Sequence, residues 1–271
     1  MQTRRFGFTF VSLNKSGVIL SREADEAEEI LFDIGAAQPL TMIALPGGEF
    51  MMGSPVGEGY EDEKPRHIVK VRPFLIGRFP VTQAQWTAVM GAGKKLRFSG
   101  SQKSVHDVTW LEAQEFCRKL TAITSHLFRL PSEAEWEYAC RAGSDSAFSC
   151  GATITTEFAN YNGLFPYLDA PEGEYRHVLL DVGSFPPNPF GLHEMHGNLW
   201  EWCADPWHEN YEDAPGDSQS WEARGSNSYR VARGGSWHET ADLCRSAVRL
   251  KLMAADGDEM VGVRVVGEYF S

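Results

Sequence analysis

The sequence predicts a loop-rich α+β domain with few helices and short strands, on three observations. First, 26 glycines and 14 prolines share 271 residues with 16 Phe, 8 Trp and 8 Tyr. That many turns beside that many rings implies irregular segments pinned by aromatic burial, since long unanchored loops are too costly to order. Second, only a few stretches carry helical periodicity, while others alternate between apolar and polar residues. Third, regular periodicity lapses from Ser144 to Pro189, and the Phe, Tyr, Asn and Gly content of that segment favours order without ladders.

Taken in order, residues 6 to 20 alternate around Asn14-Lys15-Ser16-Gly17, which reads as a hairpin. Residues 21 to 32, SREADEAEEILF, open with Ser and acids and are expected to form a helix with a solvated acidic face. Leu40 to Ser54 reads as strand, Pro-Gly-Gly turn and strand. The four acids between Glu58 and Glu63 suit a solvated loop better than a cation site, because nothing fixes their geometry. Phe74 to Thr82 is a buried strand ending at a cap, and Thr82 starts a short helix that Gly91 closes. Residues 92 to 106 are a basic loop.

Two stronger helices follow. Thr109 and Glu112 form a capping box ahead of Ala113, Phe116, Cys117 and Leu120 on one face. Pro131, Ser132 and Glu135 open the next, Gly143 ends it, and Cys140 shares its buried stripe with Trp136. Phe185 to Trp207 holds three tryptophans after a Pro-Pro-Asn-Pro turn, and the remaining chain alternates enough for strands around a polar loop. With no repeat or linker, the organisation is an N-terminal hairpin-helix appendage over residues 1–37 and one domain over 38–271.

A net charge of −12 opposes an electrostatic nucleic-acid binder. No apolar run has the length of a signal peptide or a membrane span, so a cytoplasmic chain with no membrane partner is expected. The five cysteines, Cys117, Cys140, Cys150, Cys203 and Cys244, are odd in number and widely spaced, which fits free thiols in a reducing compartment.

The densest concentration of chemistry is RVARGGSWHETADLCRSAVR, from Arg230 to Arg249. Ser236, Trp237, His238, Glu239, Cys244 and Arg249 beside Gly234-Gly235 could build a site. The same glycines also read as a turn, and Cys244 as a small buried hydrophobe.

PGGEFMMGS, PVTQAQW, DVTWLEAQEFCRKL, RLPSEAEWEYACRAG, GLHEMHGNLWEWCADPW, RGGSW and GVRVV occur in the order typical of the formylglycine-generating enzyme, or sulfatase-modifying factor, family. The resemblance runs from about Leu40 to Val266. It implies a C-type lectin-like fold with short twisted strands, stabilised by structural calcium. One cation would sit at Gly197, Asn198, Leu199 and Glu201. A second would use Asn160 and Tyr161, with a carboxylate from among Asp169, Glu172 and Glu174. A hard cation seeks such oxygen ligands. The resemblance also implies two copper-holding cysteines that use molecular oxygen to oxidise a substrate cysteine. Here those positions are Glu239 and Cys244, and a carboxylate removes most of the preference of soft monovalent copper. Ser236, which lines the family's pocket, and Trp202 are retained.

Three functions follow. The first is a module that binds a protein or small-molecule ligand on a scaffold that lost its redox pair, with Trp202, Ser236, Trp237, His238, Glu239, Cys244 and Arg249 lining the site. The second is a metal-dependent oxidoreductase with Cys244 and Ser236 as catalytic candidates and His238 and Glu239 as possible further ligands. The third is an accessory domain without a small ligand. A further alternative is a retroelement-diversified receptor with its variable tract at the C-terminus, since the family also contains such receptors; it is less favoured because Glu239, Lys251, Met253, Glu259 and Met260 do not arise from Asn codons by adenine changes alone.

Overall fold

The first 32 residues form one long hairpin. In the computed structural model, which describes residues 1–92, 94–222 and 228–269, β1 (Gln2–Leu13) pairs antiparallel with β2 (Ile19–Phe32) from Gln2↔Leu31 to Leu13↔Ile19. The expected helix over residues 21 to 32 is therefore corrected to a strand. Its Ala, Glu and Leu content favours a helix locally, but pairing with β1 along its length and with β3 over residues 29–32 outweighs that preference. Ile30 and Phe32, two apart, face the core, while Glu29 is buried between Arg4 and Arg78.

The hairpin does not stand apart from the domain. β3 (Leu40–Leu45) pairs with β2 and with β6 (Phe74–Gly77), and β12 (Val266–Glu268) joins β6 to β7 (Phe128–Arg129). The resulting six-stranded sheet has the order β1-β2-β3-β6-β12-β7. A smaller hairpin joins β4 (Gly48–Met52) to β5 (His67–Val71). The third sheet has the order β10-β9-β8-β11, built from β8 (Trp200–Pro206), β9 (Tyr229–Arg233), β10 (Arg249–Met253) and β11 (Val261–Gly262).

The three helices start where the sequence places them. Capping boxes at Thr82, Thr109 and Ser132 open α1 (Gln83–Met90), α2 (Trp110–Thr124) and α3 (Glu133–Arg141). In each, the cap hydroxyl accepts from the third helical N–H and the side chain there returns the bond, satisfying two donors that the helix leaves free. α2 buries Ala113, Phe116, Cys117 and Leu120, and Phe116 stacks on Trp86 of α1 with ring centroids 5.1 Å apart.

α3 is buried along its whole length, and its three glutamates are matched by arginines from β7, β9 and β10 and from the end of the helix itself. Glu133 accepts from Arg249 at 2.6 and 3.0 Å, Glu135 from Arg129 at 2.6 and 2.7 Å, and Glu137 from Arg141 at 2.8 Å and from Arg233. Removing one partner of such a pair strands a buried charge. Glu63 also belongs here: it lies fully buried against Arg245 at 2.8 and 2.9 Å, so the acidic loop at residues 58–63 is anchored rather than solvated throughout. Among the described residues all five cysteines are free, and no helix is long and apolar enough to cross a membrane.

Candidate functional site

Pairing of β8 with β9 brings two glycine turns to one end of the third sheet. The turn before β8 carries Gly197 and Asn198, with φ of 76° and 67°, and the loop after β9 carries Gly234 and Gly235. Gly197 N–H donates to Gly234 O at 2.7 Å, and Trp237 N–H donates to Asn198 O at 3.1 Å. Asn198 N–H donates to Asn160 O at 2.7 Å, which fixes the irregular segment to the same end. A Cβ on Gly197 would lie 2.4 Å from Asn160 O, and one on Gly235 would lie 2.4 Å from Cys244 Sγ, so glycine is required at both approaches.

Around that crossing the site residues divide between interior and surface. Ser236 and Cys244 are fully buried. The thiol sits in an apolar cluster with Phe148, Ile154, Ala159 and Tyr161, and burial, with Glu239 and Asp242 nearby, pushes it well above its ordinary pKa. Glu239 is half-buried; its Oε1 accepts from Trp200 Nε1 at 3.4 Å, and its backbone carbonyl accepts from Asn162 N–H at 2.8 Å. A copper dithiolate does not fit here, because the second position offers an oxygen in place of sulfur.

His238 is exposed, edge-on to Trp237 at 5.4 Å and to Tyr175 at 6.1 Å. Sequence reasoning missed the rest of this face. Tyr175 and His177 lie with ring centroids 3.6 Å apart, Phe98 meets Trp237 edge-on at 5.4 Å, and Arg97 lies over both Phe98 and Trp237. Only the aromatic richness of the irregular segment hinted at it. Trp237 itself is buried, and its indole N–H has no partner.

Two expected ligand contacts belong instead to the scaffold. Trp202 is fully buried and donates from Nε1 to Val108 O at 2.7 Å. Arg249 is buried in its pair with Glu133 and also donates to Asp62 O and His208 O. Both face the interior because they brace β8 and β10 against α2 and α3, so neither is free to line the surface.

The residues expected to hold cations have protein partners. Both carboxylate oxygens of Glu201 are taken: Oε2 accepts from Trp136 Nε1 at 2.7 Å and Arg264 Nε at 2.8 Å, and Oε1 accepts from Arg264 Nη2 at 2.8 Å. Asn198 Oδ1 accepts from Asn160 Nδ2 at 3.0 Å and Leu180 N–H at 3.1 Å, while Gly197 O accepts from Leu199 N–H at 2.9 Å. Tyr161 is buried and donates its hydroxyl to Ile154 O at 3.1 Å. Of the acids considered for the second site, Asp169 pairs with Lys15, Glu174 with Arg176, and Glu172 is exposed.

Two buried oxygens nearby, Glu194 Oε2 and Asn160 Oδ1, lack any hydrogen-bond partner. Glu194 was not expected from the sequence, where nothing distinguishes it from a surface acid.

Residues 33–269 match the sulfatase-modifying factor enzyme 1-like domain. The inactive C-alpha-formylglycine-generating enzyme 2 of Mus musculus is 30% identical over 263 residues, covering 77% of this chain and 78% of that protein. The formylglycine-generating enzyme of Thermomonospora curvata is 29% identical over 275 residues, covering 77% and 88%. Among solved structures, PvdO from Pseudomonas aeruginosa superposes with a TM-score of 0.77 at 31% identity, covering 89% of this chain and 98% of that one.

Proposed function

The chain belongs to the sulfatase-modifying factor enzyme 1-like domain family, and from that membership we propose that it is a binding module which kept the family scaffold and does not generate formylglycine. One observation carries this reading: Glu239 stands where the resemblance requires a second sulfur, beside the buried Cys244. Copper(I) held by one thiol and one carboxylate loses the soft ligand pair that gives it affinity.

The surface that remains is chemically rich. His238, Tyr175, His177, Phe98 and Arg97 frame the buried Trp237, and rings of this kind supply contact area with little entropy loss. Loops on a rigid base are where such folds place recognition. The ligand is a protein or a small molecule that meets this face.

Copper(I) titration against a competing chelator tests the loss of the redox pair. Wild type and Cys244→Ala are expected to bind equally little. One equivalent bound tightly by wild type and lost in Cys244→Ala would restore the reading as a metal-dependent oxidoreductase using Cys244.

A further inference from the structure

A groove of about 460 Å³ runs between β4 and the C-terminal end of α3, and it shares no lining residue with the Trp237 face. Three rings line it: Phe50 meets Tyr138 edge-on at 5.6 Å, and Phe190 lies 5.5 Å from Tyr138. Met51 and the exposed Ile68 extend the apolar surface to the rim. A space of this size with this lining suits a ligand.

The wall opposite α3 is the free edge of β4. Lys70 N–H donates to Gly216 O at 3.0 Å on the outer side of β5, so it does not donate to Glu49, its partner in register. Bonded and unbonded pairs alternate along an antiparallel ladder, so Glu49 and Met51 both turn their N–H and C=O groups away from β5. The ends of the edge show the same direction. Tyr138 Oη donates to Gly47 O at 2.7 Å, Gly53 N–H donates to Glu137 Oε1 at 2.9 Å, and Arg141 Nη2 donates to Gly53 O at 3.0 Å. Between these clamps the main-chain groups of Glu49 and Met51 meet no partner among the described residues.

The charge at the rim is acidic. Glu49 is exposed and forms no ion pair among the described residues. Asp145 is exposed and pairs with Arg66 at 2.6 Å. Arg141 offers no compensating charge, because Glu137, Gly53 O and Ser146 O take its donors.

We infer that this groove takes an extended, basic and apolar segment of a partner protein, which adds a strand beside β4. Its main chain pairs with Glu49 and Met51, where hydrogen-bonding groups stand ready at strand spacing. Phe50 faces the interior and Glu49 faces solvent, since successive side chains of a strand alternate. The segment therefore sets an apolar side chain among Phe50, Tyr138 and Phe190 and a basic one beside Glu49. This groove is separate from the Trp237 face, so binding at one neither requires nor excludes binding at the other.

The probe is a fluorescein-labelled, C-terminally amidated peptide, Thr-Val-Phe-Lys-Thr, titrated with full-length protein and read by anisotropy. In antiparallel register it sets Val beside Met51, Phe at the rings and Lys beside Glu49. Wild type should bind it saturably. N-methylation of its Val and Lys amides keeps every side chain and removes the two donors to β4, so affinity should fall at least roughly tenfold. Glu49→Lys, checked for an unchanged thermal unfolding, should weaken binding of this peptide and strengthen binding of Thr-Val-Phe-Glu-Thr. Equal binding of the N-methylated peptide would overturn the added strand, because the groove would then hold side chains alone. An unchanged charge preference in Glu49→Lys, or no saturable binding of either peptide by wild type, would also overturn it.

Discussion

At the scale of single residues, charge and donor type decide what the conserved-looking scaffold can do. Glu239 supplies an oxygen where the resemblance places a second sulfur beside Cys244. Replacing it with sulfur should recreate the soft pair, so Glu239→Cys is expected to gain one tightly bound copper(I) per chain, and adding Cys244→Ala should abolish it. Competition with a copper(I) chelator reads both. The place of Glu239 relative to the family's motifs was legible in the sequence because seven motifs occur in register. Trp202 and Arg249 were misread because proximity to a motif says nothing about which way a side chain faces; their partners, Val108 O and Glu133, come from distant parts of the chain. Glu194 was invisible for the same reason, since its burial arises from a cavity wall that only tertiary packing creates.

At the scale of elements, local chemistry was a reliable guide where a cap fixes the start. The Thr109 hydroxyl accepts from Glu112 N–H at 3.1 Å, and the Glu112 carboxylate returns to Thr109 N–H at 2.9 Å. Thr109→Ala should therefore cost about 1 kcal/mol of stability, read from the urea midpoint with an unchanged slope. No shift in midpoint would mean that tertiary contacts hold the start of α2 without its cap. The β1–β2 hairpin shows the opposite balance. Residues 21 to 32 have helical composition, yet they become a strand because β1 and β3 offer partners on both sides. The irregular segment from residue 144 to 189 could be predicted as ordered but not as shaped. Its fixed points, such as Asn160 O receiving Asn198 N–H, lie far apart in sequence.

At the scale of the whole molecule, buried ion pairs and rings hold together a structure with little regular secondary structure. Among the described residues two buried acids, Glu194 and Asp205, stand outside those pairs. Asp205 accepts from the Glu133 and Trp221 backbone N–H groups at 2.7 and 2.8 Å, and burial, with Glu133 nearby, pushes its carboxyl up to about 7. A carboxyl raised above its unfolded value of about 3.9 stabilises the fold fully below that value and loses the contribution as pH rises through about 7. Asp205→Asn removes this titration, so the variant should gain on wild type between pH 4 and 7, by roughly 2–4 kcal/mol in total. Parallel pH dependences in the two proteins would place the ionisation elsewhere.

The loop-rich α+β fold, its helix starts and its family could thus be read from the chain, whereas the aromatic surface around Trp237 and the burial of the acids could not. The account as a whole turns on whether the centre at Glu239 and Cys244 has left oxidative chemistry behind. Incubating the purified chain with a cysteine-bearing sulfatase peptide, copper, reductant and oxygen, and weighing the peptide by mass spectrometry, tests that directly. The peptide should emerge with its thiol intact, and its conversion to the aldehyde, abolished by Cys244→Ala, would contradict the account.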